Sequence, residues 1–239
     1  MRFGERRTRP KDAHVQNQKE GSTSSPNPLS LEDIKRLQRE LMRYLLLRGR
    51  PPIEGSSTPA QLLYLASTVH RTGARLIGEI GFNAGFSSYA FLSAHPETKV
   101  VSFDLGKRAC TKVAKKLIDL NFPNRHELIY GDSRETVPEF TIKNPDVHFD
   151  LVFIDGGHEY DVAKADIANM MPLCTDKTFV IMDDLMPWRH FGTGPTQAWT
   201  EATQVGIIRQ DELIKDGKPA DVIAPPGKRS WALGQYIFA

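Results

Sequence analysis

The residues able to do chemistry sit where short apolar runs give way to polar ones, and the first such place is Glu79-Ile80-Gly81-Phe82-Asn83-Ala84-Gly85-Phe86-Ser87-Ser88. Gly81 and Gly85 lack a Cβ, so the backbone there can turn sharply and come close to a ligand. The helix start beyond them offers unpaired N–H groups, which suit a carboxylate or a phosphate. A dinucleotide fingerprint needs glycine at positions 81, 83 and 86, and Asn83 and Phe86 break it. No Gly-Lys-Ser/Thr follows, which excludes a Walker loop. Glu79 would repel a diphosphate and attract a cationic group. The chemistry predicted for this loop is therefore the binding of a ligand that carries positive charge.

Further along, Asp104 ends the next apolar run and can accept hydrogen bonds from both hydroxyls of a ribose. Gly131-Asp132-Ser133 offers a carboxylate and an N–H to a base edge, Asp155-Gly156-Gly157-His158 follows a fourth run, and Asp183-Asp184 follows a fifth. The three carboxylates of Asp155, Asp183 and Asp184 come from runs predicted to be adjacent strands. All-oxygen donors of this kind suit a hard cation such as Mg²⁺.

These residues need a scaffold, and the pattern around them predicts one. From Arg75 onward, short apolar runs alternate with helical segments, the mark of a parallel sheet built from βαβ units. Strands are predicted at Leu76–Ile80, Lys99–Asp104, Glu127–Tyr130, Leu151–Asp155 and Phe179–Met182, with helices after Gly85, Gly106, Ser133 and Tyr160. Trp231–Phe238 and a segment around Ile207 and Ile208 are two further strand candidates that would supply an antiparallel edge. In such a sheet the polar ends all lie on one side, where open α/β folds bind ligands. Upstream, Ser30 caps a helix with Ile34, Leu37, Leu41 and Leu45 at helical spacing, which stops near Gly49. Thr58, Pro59 and Gln61 announce a second helix to about His70, with the glutamine closing a capping box. Residues 1–29 lack hydrophobic periodicity and read as a disordered basic leader, leaving 30–239 as one domain with a helical cap over 30–72.

The run from Thr58 to Leu185 resembles the class I S-adenosylmethionine-dependent methyltransferases. The resemblance implies a Rossmann-like, doubly wound, seven-stranded and mostly parallel sheet with helices on both faces, its last strand antiparallel. It implies S-adenosyl-L-methionine as cofactor, with the loop of Glu79, Gly81, Asn83, Gly85 and Ser87 on the methionine part, Asp104 on the ribose, and Asp132, Ser133 and Asp155 completing the site. Asp155-Gly156-Gly157-His158-x-Tyr160 followed by Met182-Asp183-Asp184 resembles the branch of Mg²⁺-assisted O-methyltransferases of sugars and other small molecules. Carried over, Asp155, Asp183 and Asp184 become metal ligands and His158 the general base, a role that an imidazole with an ordinary pKa near 6.5 can fill. The implied reaction is attack by an acceptor hydroxyl on the sulfonium methyl.

Composition narrows the partners. The chain has 239 residues, 40% hydrophobic and 25% charged, as in an average globular protein, and its net charge of +2 from 31 basic and 29 acidic residues gives no reason to expect nucleic acid. No apolar run approaches the roughly 20 residues that span a bilayer. Cys110 and Cys174 have no metal-binding or disulfide spacing, and a reducing cytoplasm is the expected location. A small-molecule acceptor is expected, and the helices between Ser30 and His70 either cover the cofactor or face a second copy of the chain. Trp188, Arg189, His190 and Phe191 either line the acceptor pocket or pack a loop onto the sheet. The competing readings are methylation of nitrogen, for which Asp-Gly-Gly-His stands where an Asn/Asp-Pro-Pro-Tyr segment is usual, a binding module without turnover, and an NAD-dependent dehydrogenase, which Asn83 and Phe86 oppose.

Overall fold

The structure is a computed structural model that describes residues 27–52 and 57–238. Apart from residues 27–29, the expected leader lies outside the described residues. Two helices, α1 (Leu31–Leu46) and α2 (Pro59–Thr72), precede alternating strands and helices: β1 (Leu76–Ile80), α3 (Phe86–Ala94), β2 (Lys99–Asp104), α4 (Ala109–Asn121), β3 (His126–Tyr130), α5 (Ser133–Lys143), β4 (Leu151–Ile154), α6 (Tyr160–Met170) and β5 (Phe179–Met182). After them come α7 (Thr193–Gln204), β6 (Ile208–Lys215), the two-residue β7 (Lys218–Pro219) and β8 (Ser230–Tyr236). The predicted elements are all present, with ends shifted by a residue or two.

Local chemistry accounts for the helix ends. Ser30 caps α1 in a full capping box with Asp33, and Gly73 ends α2 in the left-handed conformation. Thr58 caps α2 by accepting from Gln61 N–H, but the Gln61 side chain does not return to close the predicted box; its amide donates to Asp183 instead.

The sheet has eight strands in the order β3-β2-β1-β4-β5-β8-β6-β7. Strands β1 to β5 are parallel, and β8 is antiparallel to both β5 and β6. One expectation changes here: the sheet has an eighth strand, β7, a short hairpin partner of β6 made by the turn at Asp216-Gly217. The two further strands supply the expected antiparallel edge, with β8 inserted between β5 and β6, so that it is paired on both sides and buried along almost its whole length. Period-two alternation then divides the core. Leu151 and Phe153 of β4, Ile181 of β5 and Trp231 and Leu233 of β8 face α1 to α4. Val152, Ile154, Val180, Met182 and Ala232 face α5 to α7. Trp199 of α7 and Trp231 are fully buried, each contributing on the order of 2–3 kcal/mol of apolar burial.

The chain runs outward from β1 through β2 to β3, then starts again on the other side of β1 with β4. That reversal leaves a crevice beyond the carboxyl ends of β1 and β4.

Candidate functional site

A cleft of about 1290 Å³ opens at this reversal. Ligand pockets for one small molecule are typically about 300–1,000 Å³, so there is room for a nucleoside and a second compound. Gly81, Asn83, Asp104, Asp132, Ser133 and Asp155 line one part; His158, Asp183, Asp184, His190, Phe191 and Arg229 line another.

The floor is made by the β1 loop. Gly81 has φ +95°, and a Cβ there would stand 1.9 Å from the carbonyl oxygen of Asp155. The ends of β1 and β4 thus approach as only glycine permits. Asn83 lies in the left-handed region at φ 47°, and its N–H donates to Asp104 Oδ2 at 2.7 Å. Gly106 N–H donates to Asp104 Oδ1 at 2.7 Å. The Asp104 carboxylate is thereby fixed in orientation by two backbone donors, while each oxygen keeps a lone pair for a hydroxyl donor in the cleft.

Glu79, Gly85 and Ser87 do not line the cleft. Alternation along β1 turns the Glu79 side chain into the layer of α3, where it is fully buried. Its oxygens accept from Ser87, Ser88 and Ser102, the last at 2.5 Å. Burial pushes the Glu79 pKa up, and the three hydroxyls pull it back. Ser102 Oγ also meets His126 Nε2 at 2.9 Å; burial lowers that imidazole to about 3 and keeps it neutral. Glu79 therefore ties β1, β2 and α3 together beneath the loop.

Asp132 caps α5 by accepting from Arg134 N–H and is paired with the Arg134 guanidinium at 2.6 Å, which holds its pKa down at about 2. Ser133 donates to Asp166 Oδ1 at 2.6 Å, and burial raises Asp166 to about 7. Both residues reach the cleft, with Lys107, Arg108 and Arg134 beside them.

At the other end, His158 is half exposed and its Nε2 lies 3.2 Å from Oδ2 of the nearly buried Asp184. The Asp184 hydrogen bond raises the imidazole pKa. Asp184 sits at φ 59°, a left-handed conformation that is uncommon outside glycine and tends to be held by surrounding structure at functional sites. Gly194, which opens α7, packs directly on this loop: a Cβ there would lie 2.3 Å from His158 O. Phe191 lies near the imidazole with ring centroids 5.6 Å apart. His190 and Phe191 thus line the cleft, whereas Trp188 donates to Gly227 O at 3.1 Å and packs the loop down.

Asp155 and Asp183 have pKa values raised by burial and by neighbouring carboxylates, Asp183 to about 7. Yet among the described residues no three His, Cys, Asp or Glu side chains converge as a metal-ligand set. Asp183 Oδ2 accepts from Gln61 Nε2 at 2.6 Å, Asp184 Oδ2 faces His158, and Asp184 Oδ1 faces Arg229 Nη1 at 3.6 Å. An amide donor, an imidazole and a guanidinium occupy the surroundings that a divalent ion would need, so the donor set does not fit the expected Mg²⁺. Gln61 and Arg229 carried no functional signal in the sequence, since Gln61 is 122 residues from its partner and Arg229 stands in a Gly-Lys-Arg-Ser turn.

Comparison with known proteins agrees with this architecture. Residues 79–185 match the methyltransferase-domain family. Over 197 residues the chain is 23% identical to the O-methyltransferase hkm8 of Aspergillus hancockii, covering 81% of this chain and 72% of that protein. The fold is that of an O-methyltransferase from Bacillus cereus solved in complex with SAH (TM-score 0.65, 17% identity, 84% of this chain and 90% of the other). It is also that of the SAH-bound methyltransferase PaMTH1 of Podospora anserina (TM-score 0.61, 17% identity, 90% of this chain and 100% of the other). No helix among the described residues is long and apolar enough to cross a membrane. The chain carries a methyltransferase domain over residues 79–185 and is an S-adenosylmethionine-dependent methyltransferase.

Proposed function

We propose that this enzyme methylates a hydroxyl group of a small-molecule acceptor, with His158 as general base. The observation that carries the reading is the pairing of His158 with Asp184 on the wall of the cleft whose floor is Gly81, Asn83 and Asp104. The likeness to hkm8 and to the Bacillus cereus enzyme, both named O-methyltransferases, supports oxygen as the accepting atom.

When bound, S-adenosylmethionine supplies a methyl group on a positively charged sulfur. The residues divide the remaining work. Asp104, already oriented by Asn83 and Gly106 N–H, accepts from the ribose hydroxyls. The bare backbone at Gly81 lets the methionine part lie against the ends of β1 and β4. Asp132 and Ser133, with Asp155, bound the nucleoside end. His158 takes the proton from the acceptor hydroxyl while an oxygen lone pair forms the new O–C bond; the C–S bond breaks and its electron pair stays on sulfur. Asp184 holds the imidazole in place and favours the imidazolium that results. Phe191 packs near the imidazole, with ring centroids 5.6 Å apart, and His190 lines the same end of the cleft. No step runs through the expected Mg²⁺, with Asp155, Asp183 and Asp184 as ligands, because Asp183 already faces Gln61, and Asp184 faces His158 and Arg229.

The test is a methyl-transfer assay against a panel of small phenols and alcohols, reading S-adenosylhomocysteine release. Turnover of a hydroxyl acceptor by the wild type, lost in His158→Ala with cofactor binding retained, is the expected outcome. Transfer to amines alone, or full turnover in His158→Ala, would reject it.

A further inference from the structure

Arg229 occupies a position built with more care than a surface arginine needs. Asp216 Oδ1 accepts from both Lys228 N–H (2.9 Å) and Arg229 N–H (3.0 Å), and Asp216 N–H donates to Arg229 O at 2.8 Å. The next residue is locked too, with Leu185 N–H donating to Ser230 O at 2.9 Å. Two backbone–backbone hydrogen bonds and two accepted by the Asp216 carboxylate thus fix the entry to β8, and the guanidinium lies on the cleft wall beside Asp184. The side chain keeps 25% of its surface exposed there. Its charge also acts on Asp155 and Asp183, opposing the rise in their pKa values.

We propose that Arg229 is the resident cation of this acidic pocket and that the enzyme transfers its methyl group without a divalent metal ion. Three carboxylates at the ends of β4 and β5 need a counter-charge, and Arg229 supplies one that cannot be deprotonated and does not dissociate. A divalent ion entering among these oxygens would face a fixed positive charge at close range, since Arg229 Nη1 lies 3.6 Å from Asp184 Oδ1.

The inference rests on reading this cleft as the methyl-transfer site, and the two can fail separately. The experiment titrates Mn²⁺ into the full chain saturated with S-adenosylhomocysteine, following free Mn²⁺ by electron paramagnetic resonance, for wild type and Arg229→Met. The wild type is expected to leave Mn²⁺ free up to millimolar concentration and to keep full turnover in EDTA. Removal of the guanidinium is expected to raise Mn²⁺ affinity by on the order of tenfold or more, because a like charge at close range is lost. A saturable wild-type site in the micromolar range, or turnover abolished by EDTA and restored by Mg²⁺, overturns the proposal. So does an Arg229→Met protein that melts cooperatively, binds S-adenosylhomocysteine and still takes up no Mn²⁺. The wild-type arm decides the metal question even if the variant does not fold. Failure of the wild type to bind S-adenosylhomocysteine rejects instead the reading of the cleft.

Discussion

Replacing Asp104 by asparagine tests the cofactor half of the site without any knowledge of the acceptor. The carboxylate accepts from two loop N–H groups, Asn83 on Oδ2 and Gly106 on Oδ1, each at 2.7 Å. An amide of the same shape keeps one acceptor oxygen and turns an NH₂ toward the other backbone donor. One charge-assisted hydrogen bond is lost inside the loop, in the free and the bound protein alike, and one more is lost toward the ribose, in the complex only. A hydrogen bond to a charged group is worth roughly 1.5–3 kcal/mol, so binding weakens by about that much. At about 1.4 kcal/mol per factor of ten, Asp104→Asn should weaken S-adenosylhomocysteine binding by roughly 10- to 10²-fold. Isothermal titration calorimetry measures this directly, with a circular-dichroism melt to show that the variant is folded. A folded Asp104→Asn protein whose Kd stays within about threefold of wild type would refute the assignment of Asp104 to the ribose.

Other perturbations follow from the same geometry. His158→Ala should leave S-adenosylhomocysteine affinity intact and lower turnover by about 10²- to 10⁴-fold, the usual worth of a general base, as read by product release on any accepted hydroxyl substrate. Gly81→Ala would set a Cβ 1.9 Å from Asp155 O at φ +95°; a loss of about 1–3 kcal/mol in unfolding free energy is expected, with cofactor binding abolished, and an unchanged melt would show that the loop is not so constrained. Gln61→Leu removes the amide that faces Asp183 and leaves a buried carboxylate oxygen unpaired, so destabilisation of about 1–3 kcal/mol is expected in a denaturant titration. For His126, burial depresses the folded pKa to about 3, whereas the unfolded imidazole takes a proton below its ordinary value of 6.5. The unfolded state then binds more protons, and the contribution to stability present above that value is lost as pH falls toward 3, at up to about 1.4 kcal/mol per unit. The unfolding free energy of wild type relative to His126→Gln should fall by about 2 kcal/mol between pH 6.5 and 5; a constant difference would mean that the imidazole is not held neutral.

What could be read from the sequence is what short-range chemistry decides. Strand and helix alternation, the caps at Ser30 and Thr58, the glycine-opened loop at Gly81 and the polar ends at Asp104, Asp155 and Asp183 are each set by residues within a few positions of one another, and they stand where the pattern puts them. What the tertiary structure alone decided are contacts between distant segments. Pleating sends Glu79 inward, to be tied down by Ser102 and α3 rather than to meet a ligand. Packing of α2 brings Gln61 to Asp183, and the insertion of β8 between β5 and β6 carries Arg229 to Asp184. Such encounters leave no periodic trace, because which side chain neutralises a buried carboxylate is settled by the docking of whole elements. The same fact changed the reading of the acidic residues. Spacing alone marks Asp155, Asp183 and Asp184 as a trio of oxygen donors, and only the assembled fold reveals the amide, imidazole and guanidinium already turned toward two of them.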